Sequence, residues 1–172
     1  MDSDNIVEIW TDGGCKPNPG PGGWAAILKF KDVIKELSGA EADTTNNRME
    51  LTAAAQALTS LKRPCKVVLH TDSEYLKNGI TRWHAGWVRK NWRSSTGDPV
   101  KNMDLWRLIL DAAKPHDIDW RWVRGHSGNP MNERADVLAT EARKKIGASP
   151  QTPPGAPPPG PPLGPEAPDP QN

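Results

Sequence analysis

Ile6-Val-Glu-Ile-Trp-Thr-Asp-Gly-Gly14 decides how the rest of the chain is read. Apolar residues at 6, 7, 9 and 10, two of them β-branched in the first two positions, make a short strand. The spacing predicts that this strand stops at Asp12, where two glycines permit a sharp turn and close approach of another molecule. A second apolar run, Cys65-Lys-Val-Val-Leu-His-Thr-Asp-Ser73, ends the same way at Asp72. A helical pattern lies between the two runs. They are therefore expected to be parallel neighbours joined by a crossover, with Asp12 and Asp72 side by side at their carboxyl ends. That edge is where open α/β sheets place ligands. Two ionised carboxylates held close repel each other unless a cation or a proton sits between them.

Working outward, Met1 to Asn5 is polar and expected to fray. Asn18-Pro-Gly-Pro-Gly-Gly reads as a turn into a second strand, Trp24 to Phe30. Lys31-Asp32 turns into a third strand, Val33 to Ser38, giving a three-stranded antiparallel meander. Thr44-Thr-Asn-Asn caps a helix that runs to about Leu61, with Leu51, Ala54, Ala55, Leu58 and Leu61 on one stripe. After Asp72 come a short helix, Ser73 to Gly79, and a tryptophan-rich helix from about Thr81. Asn91 to Val100 is rich in turn residues and reads as an exposed loop. A helix from about Asn102 to Ala113 is expected to turn Leu105, Trp106, Leu108 and Ile109 inward. The last strand, Ile118 to Val123, puts Ile118, Trp120 and Trp122 on one face. A glycine-flanked loop around His126 leads to a final helix from Pro130 to about Lys145. From Ser149 onward proline and glycine dominate with almost nothing apolar to bury, so residues 149–172 are expected to be a disordered, polyproline-biased tail on a 1–148 domain.

The chain is long enough for one domain with a sizeable core. It carries no long apolar run and no basic-then-apolar N-terminus, so the expectation is a cytoplasmic protein with no membrane span or export signal. Cys15 and Cys65 lack metal-ligand spacing and are expected to be reduced. Net charge is only +1, and the tail lacks Lys and Arg but holds Glu166 and Asp169. A nucleic-acid partner must therefore meet a local basic patch rather than a uniformly basic surface.

Four acids stand out, and each alone has an ordinary reading. Asp12 and Asp72 fit turn or cap residues, and Glu50 fits a helix-dipole partner in the first turn of its helix. Asp136 fits an exposed pair with Asn132 or Thr140, four residues to either side. Taken as a cluster of oxygen donors with no sulfur, the four suit Mg²⁺ or Mn²⁺ rather than zinc.

Further motifs accompany them: Asn18-Pro-Gly-Pro-Gly-Gly-Trp, Thr45-Asn-Asn-Arg-Met-Glu50-Leu, Thr71-Asp-Ser73, Val100-Lys-Asn-Met-Asp-Leu-Trp, Trp122-Val-Arg-Gly-His126-Ser-Gly and Asn132-Glu-Arg-Ala-Asp136. Together, and in order from about Ile6 to Arg143, these closely resemble bacterial-type (type 1) ribonuclease H. The resemblance implies an α/β fold: a mixed five-stranded sheet, three antiparallel strands then parallel ones, with helices on both faces. It implies an endonuclease that cuts the RNA strand of RNA–DNA hybrids, using two Mg²⁺ ions or Mn²⁺ in their place, and leaves 5′-phosphate and 3′-hydroxyl ends. The family's metal-binding acids match Asp12, Glu50, Asp72 and Asp136, with Asp12 bridging both ions. Its mobile-loop histidine matches His126, which without the resemblance reads as a surface histidine.

Arg82, Trp83, Trp87, Arg89, Lys90, Trp92, Arg93 and Lys101 interleave basic and aromatic side chains. Some of these tryptophans, Trp106 nearby in particular, are expected to pin a helix. The others resemble the family's basic handle for the DNA strand, where Arg and Lys meet phosphates and Trp packs on sugars. Asn18, Asn46 and Asn47 resemble its minor-groove contacts to bases and 2′-hydroxyls, the groups that separate RNA from DNA. Thr45 and Asn102 resemble its DNA-phosphate pocket. Glu74 departs from the pattern, standing where bacterial members usually carry glutamine, and glutamate cannot donate a hydrogen bond. Holliday-junction resolvases, transposases and retroviral ribonuclease H domains share the implied architecture. A resolvase would lack the three asparagines and the handle, and a non-cleaving hybrid-binding module would have no use for the acids. With no hybrid-binding segment ahead of Ile6, the chain is expected to act alone, as a monomer without an obligate protein partner.

Overall fold

The computed structural model describes residues 6–94, 96–123 and 129–148. Three strands form an antiparallel meander: β1 (Ile6–Cys15), β2 (Gly20–Phe30) and β3 (Val33–Thr44). After helix α1 (Asn46–Thr59), β4 (Lys66–Thr71) returns parallel to β1, and β5 (Asp117–Trp122) lies parallel to β4. The sheet order is β3-β2-β1-β4-β5, the mixed five-stranded arrangement expected. Between β4 and β5 run α2 (Glu74–Asn78), a π-helical turn (Gly79–Trp83), α3 (His84–Arg89) and α4 (Met103–Ala113). The chain closes the described fold with α5 (Pro130–Ala148).

Strand alternation sends successive side chains to opposite faces and so makes two cores. Val7 and Ile9 of β1, with Ala26 and Leu28 of β2, pack under α1 and α4 against Leu51, Ala54, Leu58, Trp106 and Ile109. Trp10 and Ile27 point the other way and meet Ala135 of α5. Helices thus cover both faces. Leu51, Ala54, Ala55 and Leu58 are all buried, as the α1 stripe predicts, and Thr45 caps that helix by accepting from the Arg48 amide at 3.1 Å.

Three expectations need correction. β1 does not stop at Asp12. Its parallel pairing with β4 ends at Trp10–His70, but its antiparallel pairing with β2 continues through Asp12–Ala25 to Cys15–Gly22. The strand goes on because β2 itself begins at Gly20, inside the stretch that reads as a turn. The tryptophan-rich segment is not one helix, since a π turn hands over to α3 at His84. Leu108 is 41 % exposed, because it lies about 200° around α4 from the fully buried Trp106. The inward placement of Leu105, Trp106 and Ile109 stands. An open groove of about 860 Å³ lies at the end of the sheet opposite Asp12 and Asp72, lined by Val7, Phe30, Leu61 and Pro115. Cys15 and Cys65 are free thiols. Among the described residues no helix is long and apolar enough to cross a membrane.

Candidate active site

Asp12 sits two residues past the last β1–β4 pair, and Asp72 two residues past the same pair on β4. The two chains part there, β1 following β2 while β4 turns into α2. Asp72 is fixed from behind. Its carbonyl accepts from Trp122 Nε1 at 3.2 Å, and Val123 N–H donates to the Thr71 carbonyl at 2.8 Å. Ser73 then caps α2, its Oγ accepting from the Leu76 amide at 3.0 Å.

Glycine brings the other two acids in. A Cβ on Gly13 would lie 2.5 Å from the Met49 carbonyl carbon and oxygen, so only glycine lets β1 touch the first turns of α1 backbone to backbone. That contact sets Glu50 beside Asp12, and Ser73 Oγ donates to Glu50 Oε1 at 2.7 Å. The close approach that the sequence offers to another molecule is therefore taken up by the protein's own helix. A Cβ on Gly23 would meet the Ala139 carbonyl oxygen, so α5 crosses β2 at equally close range and carries Asp136 to the same edge.

The electrostatics report the convergence. Burial, then the charges of Asp72 and Asp136, a hydrogen bond with Asp136 and the charge of Glu50 push the Asp12 carboxyl up to about 8. Burial raises Glu50 to about 7, with Asp72 adding to it and the Ser73 hydroxyl opposing. Burial first, and the charges of the acids carried by α1, α5 and the turn after β4 next, make Asp12 resist ionisation at neutral pH. A proton relieves such repulsion, and so does a cation. The donors are all carboxylate oxygens, the set preferred by Mg²⁺ and Mn²⁺. Among the described residues no group of three acidic, histidine or cysteine side chains closes into a ready-made cage.

The expected substrate residues lie on the start of α1, the β1–β2 turn and the segment from Trp83 to Asn102. Asn18 Oδ1 accepts from the Asn46 amide at 3.2 Å and from Cys15 Sγ at 3.3 Å, and Asn46 Oδ1 accepts from the Cys15 amide at 2.8 Å. Both asparagine oxygens thus face the protein. Asn47 shares the first turn of α1 with Asn46, and the Thr45 hydroxyl oxygen accepts in the cap. Trp106 is fully buried, as expected. Trp83, Trp87 and Trp92 form a chain of tilted rings 5.7–5.9 Å apart, and Trp87 also leans on Trp106 at 5.2 Å. Only Trp83 among them is exposed, at 37 %, so the handle's tryptophans are mainly its scaffold. Arg82, Arg89, Lys90 and Arg93 stand exposed around it. Asn91 and Trp92 both adopt left-handed backbone (φ 58° and 62°), which folds the chain back so that Val100 N–H reaches the Trp92 carbonyl at 3.0 Å. Glu74 is exposed in the first turn of α2. His126 and residues 149–172 lie outside the described residues.

Sequence reasoning missed Arg48 and Asp104. Their guanidinium–carboxylate fork, at 3.1 and 2.8 Å, joins α1 to α4 beside Asn102. Burial opposes ionisation of Asp104, but the Arg48 hydrogen bonds and charge outweigh it and lower the carboxyl. An arginine in the first turn of a helix, where a cation is disfavoured, was the available signal.

Comparison with known proteins follows this geometry. The family model described as RNase H matches residues 4–144. The ribonuclease H of Granulibacter bethesdensis is 77% identical over 139 residues, which cover 81% of this chain and 93% of that protein. That of Acidiphilium cryptum is 71% identical over 141 residues, covering 82% and 88%. Among solved structures, LC9-RNase H1, described as a type 1 RNase H with the type 2 active-site motif, superposes with a TM-score of 0.73. It is 31% identical and covers 82% of this chain and 73% of its own.

Proposed function

The chain belongs to the ribonuclease H family, and from that premise we propose that it hydrolyses the RNA strand of RNA–DNA hybrids with divalent cations held by Asp12, Glu50, Asp72 and Asp136. One observation carries the reading: Glu50, Asp72 and Asp136 come from separate parts of the chain, yet all three raise the cost of ionising Asp12. Charge concentrated in that way weakens nucleic-acid binding unless a cation neutralises it. A non-cleaving hybrid-binding module has no reason to keep it.

Asp12 would be the ligand common to the bound cations, as the family resemblance implies, because Asp72, Asp136 and Glu50 all act on it. Glu50 and Asp72, each in the other's field, make one side, and Asp136, in hydrogen-bond contact with Asp12, makes the other. Mg²⁺ held by these four carboxylates would supply Lewis acidity, to activate water and to stabilise the leaving alkoxide. The products are a 5′-phosphate and a 3′-hydroxyl. Ser73 holds Glu50 by its short hydrogen bond, and Trp122 and Val123 hold the Asp72 turn, so the anionic edge is preorganised before substrate arrives. Asn18, Asn46 and Asn47 turn amide groups toward the minor groove, with their register fixed by the Cys15 contacts. Arg89 and Lys90, with Trp83 and Trp87, grip the DNA strand, and Thr45 and Asn102 take one of its phosphates. His126 moves a proton or assists product departure. The enzyme works in the cytoplasm as a monomer, and residues 149–172 are not needed for the chemistry.

The test is substrate choice. Labelled RNA–DNA hybrid, duplex RNA and duplex DNA of one sequence are incubated with the protein in Mg²⁺. Cleavage of the hybrid's RNA strand alone is expected, lost when deoxynucleotides replace about four residues around the scissile bond. Efficient cutting of duplex DNA would instead assign the protein to junction or DNA processing.

A further inference from the structure

Tyr75, in α2, falls outside every motif that the sequence singles out. Its hydroxyl accepts from Asn102 Nδ2 at 3.0 Å and from Trp106 Nε1 at 3.3 Å. Its ring leans on Trp106 at 5.4 Å and meets Trp83 edge-on at 5.9 Å. Asn102 caps α4 from a left-handed backbone (φ 59°) and is buried. Its Oδ1 accepts from Arg48 Nη1 at 3.1 Å, and the same guanidinium is pinned by Asp104.

These partners leave the Asn102 amide one orientation. A guanidinium has no acceptor, so the amide oxygen must face Arg48 and the NH₂ must face Tyr75. Turning the amide over would set N–H against N–H. One amide N–H is committed to Tyr75, and its second is what the group has left for an anion. With Tyr75 in place the amide is tethered at both ends; with Arg48 alone it swings about a single tether.

We propose that Tyr75 is a positioning residue for the DNA strand: its hydroxyl fixes the Asn102 amide with an N–H presented to a DNA phosphate, and its ring ties that contact to the tryptophan handle. The inference rests on the reading of Asn102 as a phosphate ligand given above. Tyr75→Phe keeps the ring and its packing but leaves Asn102 Nδ2 and Trp106 Nε1 without their acceptor. Phosphate binding loses definition while the four acids are untouched.

The experiment is a cycle. KM and kcat on a short hybrid are measured for wild type, Tyr75→Phe, Asn102→Ala and the double variant. They are measured again on hybrids carrying single methylphosphonates scanned along the DNA strand. Tyr75→Phe is expected to raise KM about three- to tenfold, the worth of one hydrogen bond, with kcat within about twofold. In the Asn102→Ala background, or on the hybrid whose contacted phosphate is neutralised, it should add nothing. An equal rise in every background would overturn the proposal, because the hydroxyl would then act through general stability. If Asn102→Ala raises KM and Tyr75→Phe does not, the Tyr75 role falls while the phosphate reading stands. If Asn102→Ala leaves KM unchanged, both fall. Tyr75 is the chain's single tyrosine, so biosynthetic replacement by 3,5-difluorotyrosine, assayed below the fluorinated phenol's lowered pKa so that it stays protonated, weakens this one acceptor without a mutation. It should shift KM in the same direction, and no shift there refutes the proposal even if Tyr75→Phe folds poorly.

Discussion

Asp12→Asn, measured without metal, tests whether the carboxylates repel one another as their packing implies. The substitution keeps shape and removes one charge from the middle of the cluster. Asp12 has its carboxyl raised from 3.8 to about 8, by burial first and by Asp72, Asp136 and Glu50 next. Between those two values the folded protein holds a proton that the unfolded chain gives up, so wild-type stability falls as pH rises through the window. At pH 7 the linkage cost has a ceiling of about 4 kcal/mol. The neighbouring acids share the strain, so relief of at least about 1 kcal/mol is expected, raising Tm by roughly 2–4 °C or more for a chain of this size. The assay is a thermal melt of both proteins in EDTA from pH 5.5 to 8.5. The variant should be the more stable, its advantage should grow with pH, and Mg²⁺ should narrow the gap by binding wild type preferentially. Equal melting at pH 8, or a difference that ignores pH, would refute the reasoning, because then neither repulsion nor its relief governs this edge.

Three further outcomes are expected. Gly13→Ala drives a methyl into the Met49 backbone, so it should cost about 2–3 kcal/mol, lower Tm by several degrees and reduce kcat by displacing Glu50; an unaffected melt would contradict the close contact. Replacing Arg89 and Lys90 together by Ala should weaken hybrid binding about equally for all sequences, and should reduce the slope of log K against log salt by roughly 2 in filter-binding titrations. A chain ending at Gly147 should keep both the melting temperature and the hydrolysis rate on short hybrids, since residues 149–172 hold no basic side chain and almost nothing apolar; a drop of several degrees in a side-by-side melt would show that the tail packs on the body.

The parts of the fold legible in the sequence are those written locally. The apolar run of Ile6 to Trp10, the stripe of α1, its Thr45 cap and the proline at the start of α5 each need only a few neighbouring residues to read. What escaped depends on partners far along the chain. Gly13 to Cys15 is strand only because Gly22 to Trp24 pair with it, and a glycine-rich stretch alone reads as a turn. The same holds for the site. Asp12 and Asp72 follow from two parallel runs that part at the same point, but Glu50 and Asp136 are placed by backbone contacts at Gly13 and Gly23 that no periodicity reveals. Their assignment came from the family resemblance. Arg48 and Asp104 lie inside motifs and Tyr75 outside them, but the roles of all three emerge only when α1, α2 and α4 are packed together.

The central claim is that clustered carboxylates cut RNA through bound divalent cations. The direct measurement is the chemistry of the cut ends. Hybrid with a labelled RNA strand is digested by wild type and Asp12→Asn in Mg²⁺ and in EDTA, and the fragments are resolved with and without phosphatase. Wild type should cut only with Mg²⁺ and leave 5′-phosphate and 3′-hydroxyl ends, with Asp12→Asn below about a tenth of its rate, a barrier increase of more than about 1.4 kcal/mol. Cleavage that persists in EDTA and leaves 2′,3′-cyclic phosphates would mean that the ribose hydroxyl is the nucleophile, and the account would be wrong.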